Sequence, residues 1–190
     1  MRVLLIDDTR PRARVLRKAL EDAGYEVVHA GAAPLALLKS VERLQPEVII
    51  IDVDSPSRDV LEHIVVMSQN APRPIVMFAR DPAQEKIRDA VKAGVSAYVV
   101  DGLEAARVKP IIEVACARFE EFQRLRGELA QARENLSERK LVERAKGILM
   151  QRRGLTEEAA FAALRGMAMD RKARLADVAR SVIEAADLLG

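Results

Sequence analysis

Val3-Leu4-Leu5-Ile6-Asp7-Asp8 stands at the start of the chain, and Val48-Ile49-Ile50-Ile51-Asp52 repeats its pattern further on. Each is a short aliphatic run that ends in a carboxylate. Runs of four or five residues rich in Val, Ile and Leu are too short for helices and read as strands buried on both faces. Residues 25–29, 75–78 and 97–100 have the same character, which makes five strands. Helix punctuation fills the intervals: Pro11 opens a segment that Gly24 closes, Pro34 opens the next, and Asp81-Pro82 reads as an N-cap and first-turn pair for a helix stopping at Gly94. Strand and helix alternating in this way predict right-handed crossovers and a doubly wound parallel sheet. In such a sheet the functional site lies beyond the carboxyl ends of the strands.

The chain has 190 residues, 49% of them hydrophobic, 32% charged and 3% aromatic, with no Trp. That composition describes one or two globular domains with aliphatic cores and excludes disordered and collagen-like classes. No apolar run approaches the ~20 residues of a membrane-spanning helix, so a cytoplasmic protein with no membrane partner is expected. Cys116 is the sole cysteine and excludes an internal disulfide; with only His29 and His63 beside it, no Cys/His metal site assembles.

Charge divides unevenly. Residues 1–118 hold 17 Lys/Arg against 17 Asp/Glu, whereas residues 119–190 hold 14 against 12. Between positions 139 and 153, Arg139, Lys140, Arg144, Lys146, Arg152 and Arg153 face only Glu143. A cationic run is most often a solvated helix face, and its meaning depends on what surrounds it.

From about Glu104 the strands stop. Phe122, Leu125, Leu129, Ala132 and Leu136 recur at spacings of 3 and 4, a heptad seam with charged residues and Gln between. The helix continues through Leu141, Ile148 and Leu149 to Gly154, a C-cap. Thr156 followed by Glu157 and Glu158 starts another helix reaching about Met169, and a last one runs from near Leu175 to Leu189. Leu141, Ala145, Ile148, Leu149, Phe161, Leu164, Val178 and Val182 are the expected core of this tail, and Gly147 is expected to permit a close helix crossing or backbone approach. Helical spacing sets much of the cationic surface along one side, with Lys146 on it.

Asp7, Asp8 and Asp52 converge at one sheet edge, an arrangement that suits Mg²⁺ or an acylphosphate, or else caps the following helices. Together with Ser55-Pro56 and Asp59, they make the first part resemble the flavodoxin-like receiver domain of bacterial response regulators. The resemblance implies Asp52 as phosphoacceptor position and Asp7 and Asp8 as metal positions, with Mg tentative and no cofactor required. Two departures stand out. Receivers place Ser or Thr after the fourth strand and Lys after the fifth; here Ala79 and Asp101 stand there, and Asp54 adds a further carboxylate. A doubly negative phosphoryl group would meet uncompensated negative charge. Lys109 is the remaining cation that could reach back.

The tail string Ser137-Glu138-Arg139-Lys140-Leu141-Val142-Glu143-Arg144-Ala145-Lys146-Gly147-Ile148-Leu149-Met150, with Glu158-Ala159-Ala160-Phe161 and Arg165-Gly166-Met167-Ala168-Met169-Asp170, resembles the three-helix ANTAR domain of transcription antitermination regulators. The resemblance implies binding of paired hairpins in leader RNA, which prevents a terminator from forming. Pro74-Ile75-Val76-Met77-Phe78 and residues 94–103 further resemble the nitrate-assimilation antiterminators. In that group Ala79 and Asp101 are not anomalous, and a cytoplasmic nitrate-sensing protein restrains the regulator.

The expected architecture is therefore a receiver-like domain over 1–118, a coiled-coil dimerisation helix over 119–136 and an ANTAR domain over 137–190. The expected RNA contacts are Arg139, Lys140, Arg144, Lys146, Arg171 and Arg174, and the expected dimer seam is Phe122, Leu125, Leu129, Ala132 and Leu136. The chain is read as a homodimeric regulator without enzymatic activity. Its rivals are a phosphorylation-activated response regulator switched at Asp52 and a DNA-binding regulator; the second is disfavoured because the cations cluster in the tail's first helix instead of a later recognition helix.

Overall fold

A computed structural model describes residues 1–7, 10–30, 35–100 and 104–188, with the backbone alone at 7, 10–13, 29, 30 and 35–38. Five strands, β1 (Arg2–Asp7), β2 (Glu26–Ala30), β3 (Val48–Val53), β4 (Ile75–Ala79) and β5 (Ala97–Val100), alternate with α1 (Arg10–Asp22), α2 (Leu35–Leu44), α3 (Arg58–Asn70) and α4 (Gln84–Ala93). Three helices follow: α5 (Ala105–Arg153), α6 (Glu157–Arg171) and α7 (Leu175–Leu188). The chain divides into two compact units, residues 1–123 and 124–190.

In the first unit all strands pair in parallel in the order β2-β1-β3-β4-β5. Period-two alternation sends successive side chains to opposite faces. Leu4, Ile49, Ile51, Ile75 and Met77 pack with Val41, Ile64, Met67 and Ala90 of α2, α3 and α4. Val3, Leu5, Val48, Ile50, Val76 and Phe78 pack with Leu16 and Leu20 of α1 and Val108 and Ile112 of α5. Every residue of β3 and β4 is buried, which is why those segments read as unbroken apolar runs. The chain leaves β1 in one direction for β2 and in the other for β3, so the crevice forms where Asp7 and Asp52 stand in register on adjacent strands.

The Asp81-Pro82 start signal is displaced. Helix α4 begins at Gln84 with Ala83 as N-cap, and Asp81 instead accepts a hydrogen bond from the Ala83 N–H at 2.9 Å through Oδ1. The short Asp side chain folds back onto the backbone two residues on, an Asx turn that precedes the helix rather than capping it. The helix does stop at Gly94, at φ +112°, where a Cβ would come 2.3 Å from Ser68 Oγ.

In the second unit α5 ends at Gly154 (φ +65°), a left-handed position open to glycine, and Thr156 caps α6 by accepting from the Ala159 N–H. Ala145, Leu149, Ala160, Leu164, Val178, Ala179 and Ile183 form the core. Two sequence expectations fail here. Phe161 is 38% exposed instead of buried, because Ala160 and Leu164 occupy the inward face of α6. A Cβ on Gly147 would meet nothing within 4 Å, so no segment among the described residues approaches it closely.

Candidate phosphoacceptor crevice and cationic helical unit

Asp52 is 1% exposed near the carboxyl end of β3, in register with Asp7 on β1 and Phe78 on β4. The next row pairs Val53 with Ala79, and Ala79 with Val100. A buried methyl group, that of Ala79, therefore stands on β4 one row beyond Asp52. Asp8, Asp101 and the Asp7 side chain lie outside the described residues, and among the described residues no three-acid metal cluster assembles.

Lys109 does not serve the crevice. It lines a hollow with Met1, Ala23 and Tyr25, at the opposite, amino-terminal edge of the sheet. A cation beside the loop that follows β3 is Arg80, which no motif in the sequence singled out. Its N–H donates to the Asp54 carbonyl at 3.0 Å and its guanidinium pairs with the Asp54 carboxylate at 3.4 Å. Residue 80 directly follows Ala79, and only strand register shows that it meets the residue two beyond Asp52. The same loops are joined by Ser55 Oγ donating to Asp81 at 2.8 Å and by the Tyr98 hydroxyl donating to the Asp81 carbonyl at 2.9 Å. The Ala83 N–H, then the Ser55 hydroxyl and Lys86, hold the Asp81 carboxyl below its usual range.

In the second unit the six expected RNA contacts separate into two groups. Arg139, Lys140 and Arg171 are exposed. Arg144 donates to both carboxylate oxygens of Asp187 at 3.1 and 3.2 Å. Arg174 lies among Glu134, Glu138 and Asp177, 3.5 to 3.9 Å away. Lys146 departs furthest from expectation: it is 8% exposed, bonded to Glu157 at 2.7 Å and paired with Glu143 at 2.9 Å. Positions 142, 145 and 149 face the core, and 146 falls on the border of that stripe, against the start of α6. Hydrogen bonds to Glu157 and Glu143 push the Lys146 ammonium above its ordinary range, and Lys146 holds the Glu157 carboxyl below its own. In this position Lys146 staples α5 to α6 and does not open onto the basic surface.

Arg174, just before α7, and Arg144, which pairs with Asp187 near the end of α7, both link α5 to the last helical segment through exposed ion pairs.

Residues 3–113 match the response regulator receiver domain, and residues 130–183 match the ANTAR domain. The chain is a response regulator with an ANTAR output domain. It is 34% identical over 183 residues to the transcriptional regulatory protein PdtaR of Mycobacterium tuberculosis, spanning 96% of this chain and 89% of that one. A nitrate regulatory protein of Klebsiella oxytoca is 41% identical over 75 residues, 40% of this chain and 19% of that one. In fold, the chain resembles the signal receiver domain of a modulated diguanylate cyclase from Desulfovibrio desulfuricans, with a TM-score of 0.55 at 22% identity over 63% of this chain and 95% of that one. The five-stranded receiver fold followed by helices thus agrees with what the sequence predicted. No helix among the described residues is long and apolar enough to cross a membrane.

Proposed function

We propose that this ANTAR regulator acts by binding paired hairpins in leader RNA and preventing a terminator from forming, as a cytoplasmic homodimer without catalytic activity of its own. The observation that carries the reading is the match to the ANTAR domain over residues 130–183, on whose surface Arg139, Lys140 and Arg171 are exposed. Phosphates are the natural partners of such side chains. The second unit has Phe161 as its sole aromatic, so it offers no row of stacking platforms for single strands, and hairpin shape is the open mode of recognition. Similarity to a nitrate regulatory protein supports a nitrate-responsive setting, in which the controlling partner would be a nitrate-sensing protein.

A second reading, phosphorylation at Asp52, is favoured by the register that sets Asp52 beside Asp7 and would place Mg²⁺ among these carboxylates. The buried methyl of Ala79 stands against it.

The reading is tested by titrating a two-hairpin leader RNA at several salt concentrations. Arg139→Ala with Lys140→Ala is expected to weaken binding and flatten the log-log salt slope by roughly 0.7 to 0.9 per lost phosphate contact. Lys39→Ala, on the receiver, is expected to leave both unchanged. Equal effects of the two variants, or equal competition by duplex DNA, would remove the antitermination reading.

A further inference from the structure

Between the two cores α5 crosses a stretch that neither supports. Cys116 is the last residue of α5 packed on the sheet, and Leu141 is the first packed in the helical unit. Of residues 120–137, all but Gln123 are exposed. Arg124 pairs with Glu128 and Gln131 bonds Asn135, each one turn along the same helix. Glu134 and Glu138 pair with Arg174 at 3.9 and 3.5 Å, and exposed pairs of this kind contribute little. Most helical stability in proteins comes from a packed face, which this stretch lacks in a single chain.

Gly127 stands in the middle of it. A Cβ there would meet nothing within 4 Å, so no close approach among the described residues asks for glycine. In a helix interior glycine disfavours the helix roughly fivefold relative to alanine. The heptad shows where that weakness lies. With Phe122, Leu129 and Leu136 at a and Leu125 and Ala132 at d, Gly127 falls at f, on the side away from the seam. The positions flanking the seam are Glu121 and Glu128 at g, and Arg126 and Arg133 at e. In a parallel pair each g glutamate meets an e arginine of the second copy five residues on, whereas an antiparallel pair would set like charges together. The occupant of the seam that these charges fit is a second copy of this chain.

We propose that α5 opens around Gly127 in the single chain and closes when the second copy covers the seam, so that Gly127 sets the strength of dimerisation from a position that touches no partner. The inference rests on the homodimer reading and deepens it. A pair tuned in this way exchanges with single chains and is shifted by whatever binds one of the two states better.

Sedimentation of the full chain over a range of concentrations gives the dimer dissociation constant. Gly127→Ala is expected to tighten it between roughly fivefold and thirtyfold, the lower figure for a gain in one chain and the upper for both. Ala130→Gly, the reverse exchange at position b, also outside the seam, is expected to loosen it over the same range. Hydrogen exchange of the amides of residues 125–130 should slow as the parent chain passes from single chain to dimer, and in Gly127→Ala the single chain should already exchange more slowly. Circular dichroism checks the fold of both variants. An intact parent dimer whose dissociation constant neither variant moves, or exchange that ignores concentration, overturns the role of Gly127 and leaves the dimer standing. A parent chain that stays single at every concentration overturns both.

Discussion

At the scale of single residues, Asp52 and Lys146 show how far chemistry follows from position. Asp52 is buried near the carboxyl end of β3, and the next row of the sheet holds the buried methyl group of Ala79. A phosphoryl group there would lack the hydroxyl that steadies its oxygens, so no lasting acylphosphate is expected. Mass spectrometry after treatment with a small-molecule phosphodonor and Mg²⁺ checks this; a stable added phosphoryl group that vanishes in Asp52→Asn would restore the kinase-driven reading. Lys146 leads to a prediction about pH. The folded Glu157 carboxyl titrates below its unfolded value, so its contribution is complete above the unfolded range near 4.3 and is lost as pH falls through the lower, folded value. Glu157→Gln should therefore melt below the parent protein at pH 7, with the gap closing in acid as the parent's own carboxyl protonates. A gap independent of pH would mean that the staple is not ionic.

At the scale of elements, α5 carries two kinds of sequence pattern. Near its start Val108, Ile112 and Ala115 close the sheet's second core, and near its end Ala145 and Leu149 enter the core of the helical unit. Between them Phe122, Leu125, Leu129 and Leu136 are 61%, 50%, 52% and 55% exposed, and Ala132 is exposed as well. A heptad seam left open in this way is what a second copy of the same helix would cover, with each a and d side chain entering a hole on its partner. About two heptads make a marginal coiled coil, so the pair should be sensitive to single layers. Light scattering is expected to give a dimer mass for the parent chain and a monomer mass for Leu125→Asp combined with Leu129→Asp. An unchanged dimer mass would place the interface elsewhere.

Across the whole molecule, net charge is confined to the helical tail, while residues 1–118 balance to zero, which fits a regulator whose nucleic-acid contacts are made by one unit and whose control lies in the other. The five strands were legible because β3 and β4 are buried on both faces, and such burial leaves unbroken aliphatic runs that no helix of the same length would produce. The helix ends at Gly94 and Gly154 were legible because left-handed backbone favours glycine. The two domain families were legible from motif strings read against known families. What position in sequence could not convey was pairing across space. Arg80 meets Asp54 only because β3 and β4 lie in register, and Lys109 faces the far edge of the sheet because α5 runs back along it. Lys146 has the same charge as Arg139 and lies seven residues away, yet one is buried against Glu157 and the other is exposed. Seven residues return to nearly the same face of a helix, about 20° off, so the difference is made by what packs beside each position: the start of α6 brings Glu157 against Lys146. Local periodicity and capping settle which segments become strands and helices, and both can be read residue by residue along the chain; which cations stay open to a partner depends on which carboxylates the packed helices bring within reach, and only the folded chain brings them there.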